Sequence, residues 1–170
     1  VVGSPRPQRV VETRLIRLLL ESGAVVVCAG GGGVPVVRDT DGRLRGVEAV
    51  VDKDLTSAVL AEALDADMLM VLTDVPHVLK DFGTPGQEPV LRATPGSLRE
   101  LDFPAGSRGP KVDAACRFVE LTGGVAAIGT LDDATAILRG EAGTVITPNG
   151  EYHGFAVPRL THGQLQAAAS

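Results

Sequence analysis

The sequence predicts an α/β protein, with helices in two layers on either side of a mostly parallel sheet. Apolar runs of strand length alternate along the chain with segments of helical periodicity, which is the pattern of α/β proteins. The runs at 25–29 and 67–72 are apolar at nearly every position, as expected for strands buried on both faces. We find no internal repeat and no Pro/Ser-rich linker within the 170 residues, which favours a single domain with its own core.

The first half of the chain is predicted from apolar spacing and from residues that begin or end helices. Apolar residues share one face from Val10 to Leu20, and Ser22-Gly23 ends this helix. Asp52 is a suitable N-cap for a second helix. The predicted elements are a helix at 10–20, a buried strand at 25–29, a hairpin at 34–47, a helix at 53–64 and a strand at 67–72.

The second half is predicted in the same way. Thr94-Pro95 is a cap followed by proline at the first helical position, and Gly123-Gly124 ends a later helix. The predicted elements are a hairpin at 78–92, helices at 94–101, 111–121 and 132–138, strands at 125–128 and 144–147, and a flexible loop at 103–110. Periodicity fades after Pro148, so we predict a domain over 1–148 and a poorly ordered tail over 149–170.

Composition excludes several classes of protein. The net charge of −5 argues against a general nucleic-acid-binding protein. Cys28 and Cys116 are far apart and form no C-x-x-C pair, so neither a zinc site nor a disulfide framework is predicted, and Cys28 is expected to be a small core residue. We find no apolar stretch of membrane-spanning length. A cytoplasmic location is the default expectation.

Four consecutive glycines follow the run at 25–29 and form the first candidate site. They are Gly30, Gly31, Gly32 and Gly33. Without Cβ atoms the backbone can bend freely and present N–H groups to an anion, so a phosphoryl or carboxylate site is one hypothesis. Neither the dinucleotide fingerprint nor the Walker A pattern is present. A glycine-rich turn leaving a strand is nearly as good an interpretation.

Two charged positions lie next to predicted element ends. Asp52 is explained by capping, but Lys53 places a cation at a helix N-terminus, where an anionic ligand or the neighbouring carboxylate of Asp54 would stabilise it. Thr73-Asp74-Val75 follows the strand at 67–72, and ligands of α/β sheets gather beyond the carboxyl ends of strands. An Asx turn explains Asp74 equally well.

A basic glycine-containing loop is the last candidate. In Gly106-Ser107-Arg108-Gly109-Pro110-Lys111, glycines flank cations that could reach phosphate oxygens. Taken alone, a solvated surface loop is the better interpretation. The histidines form no H-E-x-x-H motif and no nucleophile elbow is present, so a covalent mechanism has no support.

Taken together and in this order, these segments resemble carbamate kinase, a member of the amino-acid kinase family. The matching segments are Val2-Gly-Ser-Pro-Arg-Pro7, Cys28-Ala-Gly-Gly-Gly-Gly-Val-Pro35, Gly46-Val-Glu-Ala-Val-Val-Asp-Lys-Asp-Leu55, Leu72-Thr-Asp-Val75, Gly106-Ser-Arg-Gly-Pro-Lys111 and Gly143-Thr144. The resemblance covers roughly 1–146, and the segment ending in Asp-Lys-Asp-Leu is specific to carbamate kinase within the wider family.

The resemblance implies a three-layer α/β/α sandwich and reversible phosphoryl transfer between ATP and carbamate, giving ADP and carbamoyl phosphate. It implies Mg²⁺ at the nucleotide phosphates, a homodimer and a role in arginine catabolism. From the net charge and the apolar pattern, we expect no nucleic-acid and no membrane partner. It assigns Lys111, Asp54 and Lys53 to catalysis. The other assigned residues are Gly30, Gly31, Gly32 and Gly33 for the substrate and phosphoryl group, and Thr73, Asp74, Val75, Gly106, Ser107 and Lys111 for the nucleotide.

The resemblance also implies that the family's N-terminal half, with a first glycine-rich substrate loop and a further catalytic lysine, is absent from this sequence. The chain alone is therefore expected to bind ADP weakly and to turn over poorly. A truncated, non-catalytic nucleotide-binding fragment and another amino-acid kinase are the alternative interpretations.

Overall fold

The computed structural model describes residues 1–101 and 109–156. In chain order the elements are α1 (Thr13–Glu21), β1 (Val36–Arg38), β2 (Leu44–Gly46), α2 (Lys53–Ala63), β3 (Met68–Thr73), β4 (Val78–Lys80), β5 (Glu88–Val90), β6 (Arg92–Ala93), α3 (Pro95–Arg99), α4 (Gly109–Thr122), β7 (Val125–Thr130), α5 (Ala134–Leu138) and β8 (Thr144–Ile146). Of the helices in these ranges, none has the length and apolar character needed to cross a bilayer.

A four-stranded sheet with the order β3-β7-β8-β6 lies at the centre. β3 runs parallel to β7 over its whole length, with Met68 opposite Val125 and Thr73 opposite Thr130. β8 pairs parallel with β6 and antiparallel with β7. Two of the three strand pairings are therefore parallel, as the sequence predicts for most of the sheet, and the short antiparallel pairing of β7 with β8 makes β8 and β6 run opposite to β3 and β7.

Helices cover both faces of this sheet, which confirms the predicted three-layer arrangement. Alternate residues of β7 point to opposite faces: Ala126 and Ile128 join the larger core with α2, α3 and α4, and Ala127 joins a smaller one with Ile137 of α5. Phe118 of α4 is fully buried in the larger core. Burial of side chains of this size contributes about 1.5–3 kcal/mol each, so the two cores stabilise the sheet from both sides.

The predicted helix starts and hairpins are also present. The side chain of Asp52 caps α2, and Thr94 and Ser97 form a reciprocal capping box at the start of α3. β1 pairs antiparallel with β2, and β4 with β5, as the two turn sequences predict. These local signals were sufficient because the capping bonds and turns form within a few residues.

The prediction of a buried strand at 25–29 is wrong. Within the described residues this segment belongs to no strand, and the side chains of Val25 and Val27 are almost fully exposed, at 94% and 97%. Cys28, expected in the core, is exposed as well. A strand forms only where a neighbouring strand accepts its backbone hydrogen bonds, and every described strand pairs elsewhere.

The apolar face of α1 shows the same departure. The helix forms where it is predicted, but only Ile16 of its residues is buried. The residues of the predicted apolar face are Val11, which precedes α1, and Leu15, Leu18 and Leu19, and they are exposed at 41%, 56%, 62% and 39%. The pattern of α1 is that of a helix packed against a partner, whereas here most of that face meets solvent.

Residues 149–156 extend beyond the predicted domain boundary and contact α5. The hydroxyl of Tyr152 and the N–H of Phe155 both donate to the carbonyl oxygen of Leu138, each at 2.8 Å. Gly154 has φ +80°, and a Cβ there would lie 2.4 Å from the carbonyl oxygen of Arg139. The division at residue 148 stays a prediction, and 157–170 lie outside the described residues.

Candidate functional site

The N-terminus of α2 is fixed by its cap. One carboxylate oxygen of Asp52 accepts hydrogen bonds from the N–H groups of Asp54, at 2.9 Å, and Leu55, at 3.0 Å. Satisfying two of the otherwise unpaired helix N–H groups stabilises the first turn by about 1 kcal/mol. The first turn then holds Lys53 in a mostly exposed position and Asp54 in a buried one.

Asp54 contacts two lysines. Its Oδ2 lies 2.8 Å from Nζ of Lys111, at the start of α4, and 3.7 Å from Nζ of Lys53. The side chains of Asp54 and Lys111 are only 11% and 21% exposed. A carboxylate between two ammonium groups leaves the cluster with one net positive charge, and low exposure strengthens its attraction for an anion.

A cavity of about 250 Å³ lies next to this cluster. Lys111 lines it together with Thr73, Asp74 and Val75, which follow or end β3 at the carboxyl edge of the sheet. The remaining lining residues are His77, Val78, Phe82, Val112 and Ile128. A cavity with mainly apolar walls and a cation at one side suits a ligand that has an apolar ring and an anionic group.

The glycine run lies against the start of α2. A Cβ on Gly32 would lie 2.0 Å from the carbonyl oxygen of Val51, and Gly32 has φ +126°, so only glycine fits there. The hydroxyl of Thr56 donates to the carbonyl oxygen of Gly32 at 3.0 Å. The run is therefore held at the same helix end that carries Lys53 and Asp54.

Two N–H groups of the glycine run are available to a ligand. Those of Gly30 and Gly32 donate to the carbonyl oxygens of Cys28 and Ala29 in tight turns. Those of Gly31 and Gly33 donate to no acceptor within 1–101 and 109–156. Both glycines are exposed, and exposed N–H groups in a run of turns are well suited to contact an anion.

The structure thus brings most of the predicted site residues together. Lys53, Asp54 and Lys111 form one cluster, Thr73–Val75 share a cavity with Lys111, and the glycine run joins them through α2. Gly106 and Ser107, which were predicted to bind nucleotide, lie outside the described residues.

The sequence did not point to every residue at this site. Val112 and Ile128 line the cavity from elements predicted as core, so an amphipathic pattern alone could not separate their two roles. His77 and Phe82 also line the cavity, and only the proximity of His77 to Asp74 in sequence hinted at this. Thr56 carried no signal, because its contact with Gly32 joins residues 24 positions apart.

This fold and site define a class of protein: the chain belongs to the amino acid kinase family, whose sequence profile matches residues 2–128. Within the family it is similar to carbamate kinases. It is 52% identical to the carbamate kinase of Rhizobium meliloti (strain 1021), over 86% of this chain and 46% of that protein. For the carbamate kinase of Haemophilus influenzae the identity is 50%, over 89% of this chain and 49% of that protein.

Solved structures give the same result. Carbamate kinase from Giardia lamblia bound to AMP-PNP superimposes with a TM-score of 0.83 at 38% identity, covering 86% of this chain and 48% of that one. A protein of Aeropyrum pernix K1 gives a TM-score of 0.78 at 49% identity, covering 85% and 47%. The chain spans about half the length of the curated relatives it matches.

Proposed function

We propose that this chain supplies the nucleotide- and phosphoryl-binding part of a carbamate kinase, which transfers a phosphoryl group reversibly between ATP and carbamate. The observation that carries the proposal is the Asp54 carboxylate, which contacts Lys111 and Lys53 beside the cavity at the end of β3. The similarity to carbamate kinases over most of the chain supports this choice of substrates.

The proposed chemistry requires positioning and charge neutralisation more than covalent help. The attacking carbamate oxygen is already anionic, so no general base is needed, and the transferring group carries further negative charge. Lys111 and Lys53 would neutralise that charge. Asp54 would keep the two ammonium groups in place while leaving one net positive charge for the substrates.

The cavity is the proposed nucleotide site. Its apolar walls, which include Val75 and Val112, would hold the base and ribose, and Lys111 lies where the phosphates would leave the cavity. The N–H groups of Gly31 and Gly33 would contact the transferring phosphoryl group from the α2 side. ATP and ADP are accordingly the proposed ligands.

Magnesium fits this proposal as a companion of the nucleotide. Among the described residues no group of three His, Cys, Asp or Glu side chains could hold a metal ion. Mg²⁺ usually takes one or two carboxylates, several waters and the oxygens of substrate phosphates, and the carboxylate of Asp74 in the cavity wall is a suitable ligand of that kind. When bound, the ion would neutralise charge on the nucleotide phosphates.

Titration with ADP, followed by calorimetry, tests the proposal directly. Val75→Trp should fill the cavity and abolish heat of binding, because Val75 lines the cavity. The matched control is Leu18→Trp, at a position that is 62% exposed on α1 and outside the cavity, and it should bind ADP like the wild type. Equal ADP binding by both variants would place the nucleotide elsewhere.

The half-length match favours a second candidate, a nucleotide-binding fragment without turnover. A coupled assay of ATP formation from carbamoyl phosphate and ADP measures whether this chain turns over by itself. We expect ADP binding with poor turnover from this chain alone, and rates typical of kinases would contradict that expectation. Homodimeric assembly and a role in arginine catabolism stay predictions of the resemblance, and a cytoplasmic location stays the default expectation from the sequence.

A further inference from the structure

Thr56 has a contact that its place in a helix does not require. It lies in α2 one turn after the cap and is only 4% exposed. Its hydroxyl oxygen is 3.0 Å from the carbonyl oxygen of Asp52 and also 3.0 Å from that of Gly32. One hydroxyl proton is thus shared between the helix and the glycine run.

The next residue shows what an ordinary helical hydroxyl does. The Oγ of Ser57 donates to the carbonyl oxygen of Lys53, four residues earlier, at 2.8 Å, which is the common local bond of serine and threonine in helices. Thr56 makes the equivalent bond to Asp52 and adds the one to Gly32. The second bond is therefore a specific tertiary contact.

The contact works together with the steric limit at Gly32. The close approach of Gly32 to the carbonyl of Val51 prevents the run from moving nearer to α2. The hydrogen bond from Thr56 resists movement away from it. The two effects hold the backbone of the run at one distance from the turn that carries Lys53 and Asp54.

We propose that Thr56 is a positioning residue for anion binding. Its hydroxyl holds the glycine run so that the N–H groups of Gly31 and Gly33 and the lysine cluster contact the same phosphoryl group. This inference rests on the proposed function, and it assigns to Thr56 no contact with substrate. The methyl group of Thr56 has no part in it, so serine should serve as well as threonine.

Three variants of the full chain test the proposal: Thr56→Val, Thr56→Ser and the control Ser57→Ala. NMR would follow amide hydrogen exchange at Gly32, whose N–H donates to the carbonyl oxygen of Ala29. Titrations monitored by NMR would give the affinities for inorganic phosphate and for adenosine. Loss of one hydrogen bond corresponds to a change of about fivefold in an equilibrium constant. Thr56→Val should speed Gly32 exchange and weaken phosphate binding by about that factor, and leave adenosine binding unchanged.

The other variants make the result specific. Thr56→Ser should keep the Gly32 exchange rate and the phosphate affinity of the wild type. Ser57→Ala should also change neither value, although it too removes a hydroxyl from α2. The proposal would be overturned if Gly32 exchange were unchanged in Thr56→Val, or if it were as fast in Thr56→Ser as in Thr56→Val. A wild-type chain that binds neither phosphate nor adenosine would contradict the proposed function and the anion-binding role, while Gly32 exchange would still decide whether Thr56 holds the run.

Discussion

Nζ of Lys111 lies 2.8 Å from Oδ2 of Asp54, joining the first turns of two helices whose residues are 57 positions apart. The two helices, α2 and α4, pack against each other and against the larger core. Their N-terminal ends therefore meet at one place, next to the cavity that begins where β3 ends. The ion pair therefore connects the candidate site directly to two helices of the larger core.

Asp54→Asn should lower the free energy of unfolding by about 1–3 kcal/mol, because it leaves a half-buried ammonium group without its carboxylate. The control is Asp65→Asn, which removes the partner of Arg17 from a pair 3.0 Å apart whose aspartate is 82% exposed. A pair of that kind contributes at most about 1 kcal/mol. Urea unfolding measures both, and equal losses would contradict a special role for the buried pair.

Gly32→Ala should destabilise the chain by at least about 2 kcal/mol, since it combines backbone strain with a collision against Val51. Gly31→Ala is the matched control: no atom lies within 4 Å of its added Cβ, and its cost should stay below about 0.5 kcal/mol. Thermal unfolding measures both. Equally small losses of stability for the two substitutions would contradict the close contact of Gly32 with Val51.

The two thiols should react differently. Burial raises the pKa of Cys116 from 9.0 to about 11, whereas Cys28 is exposed. Iodoacetamide at pH 8 should modify Cys28 in the native chain and Cys116 only in denaturant, because the thiolate is the nucleophile. Peptide mass analysis reads both sites, and rapid native labelling of Cys116 would contradict its burial.

The same pKa sets a pH dependence of stability. Below pH 9 the thiol of Cys116 is neutral in both states and has no effect. Between pH 9 and about 11 the unfolded chain loses this proton and the folded one keeps it, so stability falls as the pH rises. Urea unfolding across this range should show a steeper fall for the wild type than for Cys116→Ala, and parallel curves would contradict the assignment.

Val27→Thr should leave stability within about 0.5 kcal/mol of the wild type, because Val27 is exposed, although the sequence predicts a buried strand there. Val145→Thr makes the same chemical change at a fully buried position of β8. It should cost about 1–3 kcal/mol through burial of a hydroxyl. Urea unfolding measures both variants, and a large loss of stability for Val27→Thr would show that Val27 is buried, as the predicted strand requires.

The sequence predicts an element correctly where the interactions that form it are local or are repeated along the whole element. The cap at Asp52, the box at Thr94 and the apolar run of β3 each predict their element because the interactions lie within the same segment. For the site, the charge pattern pointed to Lys53 beside Asp54, whereas Lys111 was grouped with them only by the resemblance to carbamate kinase.

It failed where a result depends on what another part of the chain provides. The run at 25–29 and the face of α1 have the pattern of buried elements, yet burial needs partners that the pattern cannot supply. The link between Thr56 and Gly32 depends on the exact approach of a loop to a helix. Propensity and periodicity contain no information about such contacts.

The central claim is that Lys111 receives the phosphates of a nucleotide bound in the cavity, and the affinities of ADP and adenosine for wild type and Lys111→Met test it most directly. In the wild type, ADP should bind more tightly than adenosine, because its phosphates reach the positive cluster. In Lys111→Met the adenosine affinity should persist and most of the advantage of ADP should disappear. The same ratio of affinities in both proteins would contradict the account.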